Sequence, residues 1–243
     1  MDPRREALRW LTLYRDLGLD QVGLSAPAPR EQSRLAASAF DHERARLAAL
    51  VRDATDAAQA LDALQHEVIG ACRRCRLCEG RTKIVFGVGS PQARLVFVGE
   101  GPGADEDLKG EPFVGRAGQL LDKIIAAMGL DRSRTYIANI VKCRPPENRA
   151  PLPDETAPCL PFLETQIALI RPKIIVALGR TALEGLTGVA QEGITKLRGR
   201  WFEHQGIPVI ATFHPAYLLR NPAAKRPVWE DMQAVMQRLA APD

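Results

Sequence analysis

Leu95-Val96-Phe97-Val98-Gly99-Glu100-Gly101-Pro102-Gly103-Ala104-Asp105-Glu106-Asp107 decides the fold of this 243-residue chain. Four bulky apolar residues in succession suit a strand buried on both faces, and the glycines and proline that follow make a tight loop. Open α/β sheets hold their ligands at such loops, beyond the carboxyl ends of buried strands. The loop lacks both the GxGxxG spacing of a dinucleotide site and the Gly-Lys-Ser/Thr ending of a phosphate loop. It sets acidic side chains beside backbone that a ligand can approach closely. That arrangement suits a flat, neutral, hydrogen-bonding molecule better than a phosphate.

Working outward, further strands are expected at 136–141, 173–178, 200–204 and 208–213, with helices at 117–128, 154–170, 181–186 and 229–239. This alternation predicts an α/β three-layer sandwich around a central, mostly parallel sheet of four to five strands. Ahead of it, periodic leucines predict a helix over 4–18, a Pro/Ala linker spans 21–33, and an Ala- and Leu-rich helical stretch runs from Asp41 to Gly70. Residues 1–65 therefore read as a helical N-terminal extension without chemistry, and 66–243 as the functional domain.

The 46% hydrophobic share is ordinary for a globular protein. No apolar run reaches the roughly 18 to 20 residues that span a bilayer. The start carries charge but no apolar core with a cleavage site, so a cytoplasmic location without membrane contact is expected. Residues 66–243 hold 24 basic against 19 acidic side chains, which makes this part the better partner for a polyanion.

Five cysteines fall between Cys72 and Cys159. In a cytosolic chain they argue for metal, cluster or redox use over a disulfide scaffold. Cys72 and Cys75 form a CxxC; Cys143 follows a strand, and Cys159 lies 16 residues on. A zinc ribbon would want a second close pair, whereas an iron–sulfur cluster tolerates the irregular spacing, so a [4Fe–4S] cluster is favoured over zinc. Cys78 is the expected spare, with Cys72, Cys75, Cys143 and Cys159 as ligands.

Three further features belong near the first loop: Phe113 at a helix entrance, Asn139 as a lone amide in an apolar strand, and His214 after another. Singly, each has a bland structural reading. Together, the motifs GEGPGADED (99–107), PFVGRAGQLLD (112–122), NIVKCRPPENRAPLPDE (139–155) and HPAYLLRNP (214–222) resemble the family-4, iron–sulfur uracil-DNA glycosylases over about residues 72–239.

The resemblance implies excision of uracil from DNA, single- or double-stranded, by a monomer. Phe113 would stack on the extruded base, and Asn139 would read its N3–H and O4. His214 would donate to O2 as negative charge develops there. Backbone at Glu100, Gly101 and Gly103 would grip the base. Glu106, ranked ahead of Glu100, would orient the water or exclude a thymine methyl group. Leu218 is expected as an exposed wedge, and Arg144, Arg149, Arg220 and Lys142 as phosphate contacts. Two other readings are a uracil-DNA capture protein without turnover and an iron–sulfur electron carrier.

Overall fold

A computed structural model describes residues 44–189 and 192–242. Residues 44–53 (α1) and Ala57–Ala63 (α2) form two helices instead of the single expected one. Asp56 makes the division: its backbone is extended, and its carboxylate accepts from the amides of Ala58 and Gln59 at 2.7 and 3.3 Å. α2 runs on as a π-helical turn over Leu64–Ile69. The expected helix at 4–18, the linker at 21–33 and residues 41–43 lie outside the described residues.

The remaining elements follow as Leu77–Gly80 (α3), Val88–Gly89 (β1), Leu95–Gly99 (β2), Ala104–Lys109 (α4), Arg116–Ala127 (α5) and Tyr136–Asn139 (β3). Next come Pro153–Thr156 (α6), Leu160–Ile170 (α7), Ile174–Leu178 (β4), Arg180–Thr187 (α8) and Ile194–Leu197 (α9). Trp201–His204 (β5), Ile207–Thr212 (β6), Pro215–Arg220 (α10) and Lys225–Ala240 (α11) complete the domain. The helix expected over 154–170 is two helices, because Pro161 lies in the first turn of α7 and offers no amide to a preceding one. The break leaves Cys159 as the N-cap of α7.

Among the described residues six strands form one sheet, ordered β1-β3-β2-β4-β6-β5. The inner four are parallel; β1 and β5 are antiparallel edges. The strand beyond the expected five is β1, whose two residues are too few to show an alternation. Successive side chains feed two cores. Val96, Val98, Ala138, Ile175, Ala177 and Val209 pack with α1, α2, α7 and α8, while Leu95, Phe97, Ile137, Val176 and Ile210 pack with α5, α10 and α11. Burial on both faces is why these strands read as unbroken apolar runs.

Leu47, Ala60, Leu61 and Leu64 belong to the same core as Val96. A boundary at 65/66 therefore does not separate two packed bodies; the compact unit starts at Arg44. The carboxyl ends of the four parallel strands lie together, with Gly99 paired to Asn139 and Leu178 to Thr212. This edge carries the site.

Candidate active site

A cleft of about 550 Å³ opens beyond these strand ends. Glu100, Gly101 and Gly103 line it from the loop after β2, Glu106 from the first turn of α4, Phe113 from the approach to α5, Asn139 from the end of β3 and His214 from just beyond β6. Residues more than 100 positions apart in the chain thus share one cavity because parallel strands deliver them to one edge.

Local chemistry fixes each group. Asn139 is 2% exposed and its Oδ1 has no hydrogen-bond partner. A buried acceptor left empty is costly, and this oxygen, in the wall of the cleft, is free to receive an N–H from a bound molecule. Gly99 makes room for it: a Cβ there would stand 2.4 Å from Asn139 Oδ1 and 2.6 Å from the Phe113 ring. The Phe113 and His214 rings lie 5.5 Å apart between centroids.

His214 is the N-cap of α10, and its Nδ1 accepts from the Ala216 amide at 3.2 Å. In the neutral ring the proton then belongs on Nε2, which becomes a donor. Burial pushes the His214 pKa down to about 4, outweighing the nearby Glu106 carboxylate, while Arg220 pushes the same way as burial. At neutral pH the residue is an uncharged imidazole.

The two carboxylates differ. Glu106 is fully engaged in holding backbone: it accepts from Gly103 N at 3.1 Å and from Val114 N and Gly115 N at 2.9 Å each. Glu100 accepts from Thr181 Oγ1 at 2.5 Å through one oxygen, and among the described residues no donor is recorded on the other. Sequence reasoning ranks Glu106 ahead of Glu100 for work on a water; the hydrogen bonds leave an open carboxylate oxygen on Glu100 and occupy both oxygens of Glu106. Thr181, at the start of α8, gave no signal in the sequence.

A second cavity is lined in part by the segment just after β3, at Lys142 and Cys143. All five cysteines line it, with Ile69, Ile84, Phe162 and the cations Arg74, Arg81 and Lys142. Arg81 donates to Cys143 Sγ and the Lys142 amide to Cys159 Sγ, both at 3.3 Å. Burial pushes the Cys159 thiol up to about 12. Such thiols stay neutral unless a metal draws off their protons. An apolar chamber with five sulfurs and three cations fits a net-negative cluster.

The sequence model of the Uracil DNA glycosylase superfamily matches residues 86–233, a span that holds the whole cleft edge. This chain belongs to that superfamily. A type-4 uracil-DNA glycosylase of Thermotoga maritima is 49% identical over 170 residues, 69% of this chain and 88% of the relative. The type-4 enzyme of Sulfurisphaera tokodaii is 43% identical, covering 75% of this chain and 86% of the relative. A type-5 uracil-DNA glycosylase of Thermus thermophilus is 33% identical, covering 56% and 68%. The likeness is therefore closer to the type-4 group.

Within this glycosylase frame several sequence expectations need correction. Leu218 is not an exposed wedge; at 1% exposure it packs into the core beside Phe213 and Val228, because residues 215–220 form a helix and not a loop. Tyr217 and Leu219, each 38% exposed, present the apolar surface instead. Lys142 cannot reach a phosphate: it is 1% exposed and donates through Nζ to Asn139 O at 3.0 Å and Gln166 Oε1 at 2.6 Å. Burial brings its pKa down to about 8.

Arg149 lines the cleft but spends its guanidinium on buried Glu155, at 2.7 and 2.6 Å. Arg144 donates to Asn148 Oδ1 at 2.8 Å, and Arg220 lies exposed on the cleft rim. Gly103 lines the cleft, though its amide is already given to Glu106. Among the described residues no helix is long and apolar enough to cross a membrane.

Proposed function

We propose that this glycosylase hydrolyses the N-glycosidic bond of deoxyuridine in DNA, releasing uracil and leaving an abasic site. A base inside a duplex is out of reach, so the nucleotide is extruded into the cleft. Phe113 stacks on the ring. Asn139 Oδ1 accepts N3–H while its amide donates to O4; cytosine reverses both requirements, and each mismatched pair costs about 1–3 kcal/mol.

As the bond to the sugar lengthens, negative charge gathers on uracil O2. His214 Nε2–H meets that charge as a neutral donor, with the Glu100 and Gly101 amides assisting, so the barrier falls without proton transfer to a base. Water, oriented by the oxygen of Glu100 that Thr181 leaves free, then adds to the cationic sugar, and the proton it releases passes through solvent while the departing uracil anion takes up one in return. Glu106 takes no part in this step; it ties the glycine turn to the Phe113 segment. Arg144 and Arg220 contact phosphates, and Tyr217 with Leu219 fills the gap left in the base stack.

We assign the cysteine chamber to a [4Fe–4S] cluster held by Cys72, Cys75, Cys143 and Cys159, with Cys78 as a fifth thiol on its wall. Sulfurs around one tetrahedral zinc stand about 3.8 Å apart, given zinc–sulfur bonds of about 2.3 Å. Among the described residues no three His, Cys, Asp or Glu side chains form a single-ion site. The support for a cluster is the cysteine set itself, since each corner of an iron–sulfur cluster needs one thiolate and irregular sequence spacing is tolerated. When bound, the cluster links residues 72–78 to 143–159 and so braces the loop that bears Arg144; no electron transfer is required of it.

The observation that carries the reading is the unpartnered Asn139 Oδ1 in a cleft shared with Phe113 and His214. The test is incubation with a uracil-containing oligonucleotide followed by alkali. Strand breaks in excess of enzyme are expected. A stoichiometric, denaturant-stable adduct would replace turnover with capture, and no reaction would end both.

A further inference from the structure

The backbone around Phe113 needs an explanation. Phe113 has φ +55° while its side chain is 5% exposed. Bulky L residues rarely adopt this left-handed conformation, and where they do, surrounding structure must hold them. Close packing contributes: a Cβ on Gly118 would lie 1.8 Å from Phe113 O.

Two charged side chains grip the segment from either side. Glu106 takes the amides just after Phe113, those of Val114 and Gly115. Arg132 takes the carbonyls. Its Nη2 donates to Pro112 O at 2.7 Å, and its Nη1 donates to Phe113 O at 3.1 Å and to Asp122 Oδ1 at 2.8 Å. Asp122 sits on α5, the helix that Phe113 leads into. The planar guanidinium supplies two parallel donors at fixed spacing, which a lysine ammonium cannot. Arg132 is not among the residues lining the cleft.

We propose that Arg132, anchored on Asp122, is a positioning residue that holds Phe113 in the strained conformation presenting its ring to the base. The inference rests on the stacking role of Phe113 given above. It also sets Arg132 apart from the phosphate-binding arginines, since its donors are committed to Pro112, Phe113 and Asp122.

The test compares the full-length holoenzyme with its Arg132→Ala, Arg132→Lys and Phe113→Ala variants. Measured are kcat and KM on a uracil oligonucleotide, competitive inhibition by free uracil, the salt dependence of KM, and melting temperature. In Arg132→Ala, uracil inhibition should weaken and KM should rise, each on the order of tenfold, with kcat less affected. The salt slope should be unchanged, Arg132→Lys should recover only part of the loss, and added guanidinium should restore uracil binding to the alanine variant.

Unchanged uracil inhibition in either folded arginine variant would overturn the proposal. A salt slope reduced by about one with uracil inhibition intact would also do so, by making Arg132 a phosphate contact. Should the alanine variant not fold, the lysine variant carries the comparison. Phe113→Ala separates the two levels: if it leaves uracil inhibition unchanged, stacking and positioning both fail. If it weakens inhibition while the arginine variants do not, only the role of Arg132 fails.

Discussion

At the scale of residues, the imidazole of His214 sets the pH behaviour. Its folded pKa of about 4 lies below the ordinary value of 6.5. The rate should therefore stay level from neutral pH down to about 5 and fall only as the ring protonates near 4. A rate that rose on acidification through 6.5 would identify an imidazolium donor instead. The linked stability has the same sign: unfolding releases a histidine that binds a proton more readily, so this contribution is complete above pH 6.5 and is lost as pH falls toward 4. Its size is on the order of 3 kcal/mol. His214→Ala should lower kcat by roughly 10²- to 10³-fold, the scale found when one oxyanion donor is removed. Asn139→Asp should relax the preference for uracil over cytosine, read from excision of each base. Asn139 and His214 stand out in the sequence as polar residues at the end of apolar runs, whereas Phe113, after a charged and proline-containing stretch, is picked out only by its place at a helix entrance and by the resemblance. Thr181 and Arg132 were not legible, since their importance lies in contacts that only the folded chain creates.

Elements carry a different lesson. The strand and helix spans followed from apolar periodicity, with boundaries off by one to a few residues. The errors arose where one side chain interrupts a run: Asp56 between α1 and α2, and Pro161 at the start of α7. The segment 214–220 departs furthest from expectation. His214 caps a helix, and helical geometry turns Leu218 inward while leaving Tyr217 and Leu219 outside. Leu218→Ala should therefore lower stability by about 2–5 kcal/mol, as expected for emptying a packed site, measured by denaturant unfolding. Leu219→Ala should leave stability nearly unchanged and reduce excision from duplex DNA more than from single strands, where no gap needs filling. Equal effects on both substrates would remove Leu219 from the wedge.

For the whole molecule, one sheet organises two chambers: the cleft beyond the carboxyl ends of its parallel strands, lined by Asn139, and the cysteine cavity lined in part by Lys142 and Cys143, just after β3. Lys142 stands between them, its amide on Cys159 Sγ and its Nζ on the carbonyl of Asn139. Cys143→Ser should remove iron from the purified protein, abolish its visible absorption and lower its melting temperature, while a colourless, zinc-loaded protein would refute the cluster. The parallel sheet was legible from its unbroken apolar runs. The depth to which residues 44–69 pack into it was not, because an Ala- and Leu-rich helix reads alike whether it docks or stands apart.

The central claim is that Phe113, Asn139 and His214 form one slot for one pyrimidine. A crystal structure of the protein with free uracil tests it most directly. The ring should lie against Phe113, with N3–H on Asn139 Oδ1 and O2 within hydrogen-bond reach of His214 Nε2. Uracil bound elsewhere, or in the cleft with Asn139 Oδ1 still unpartnered, would contradict it.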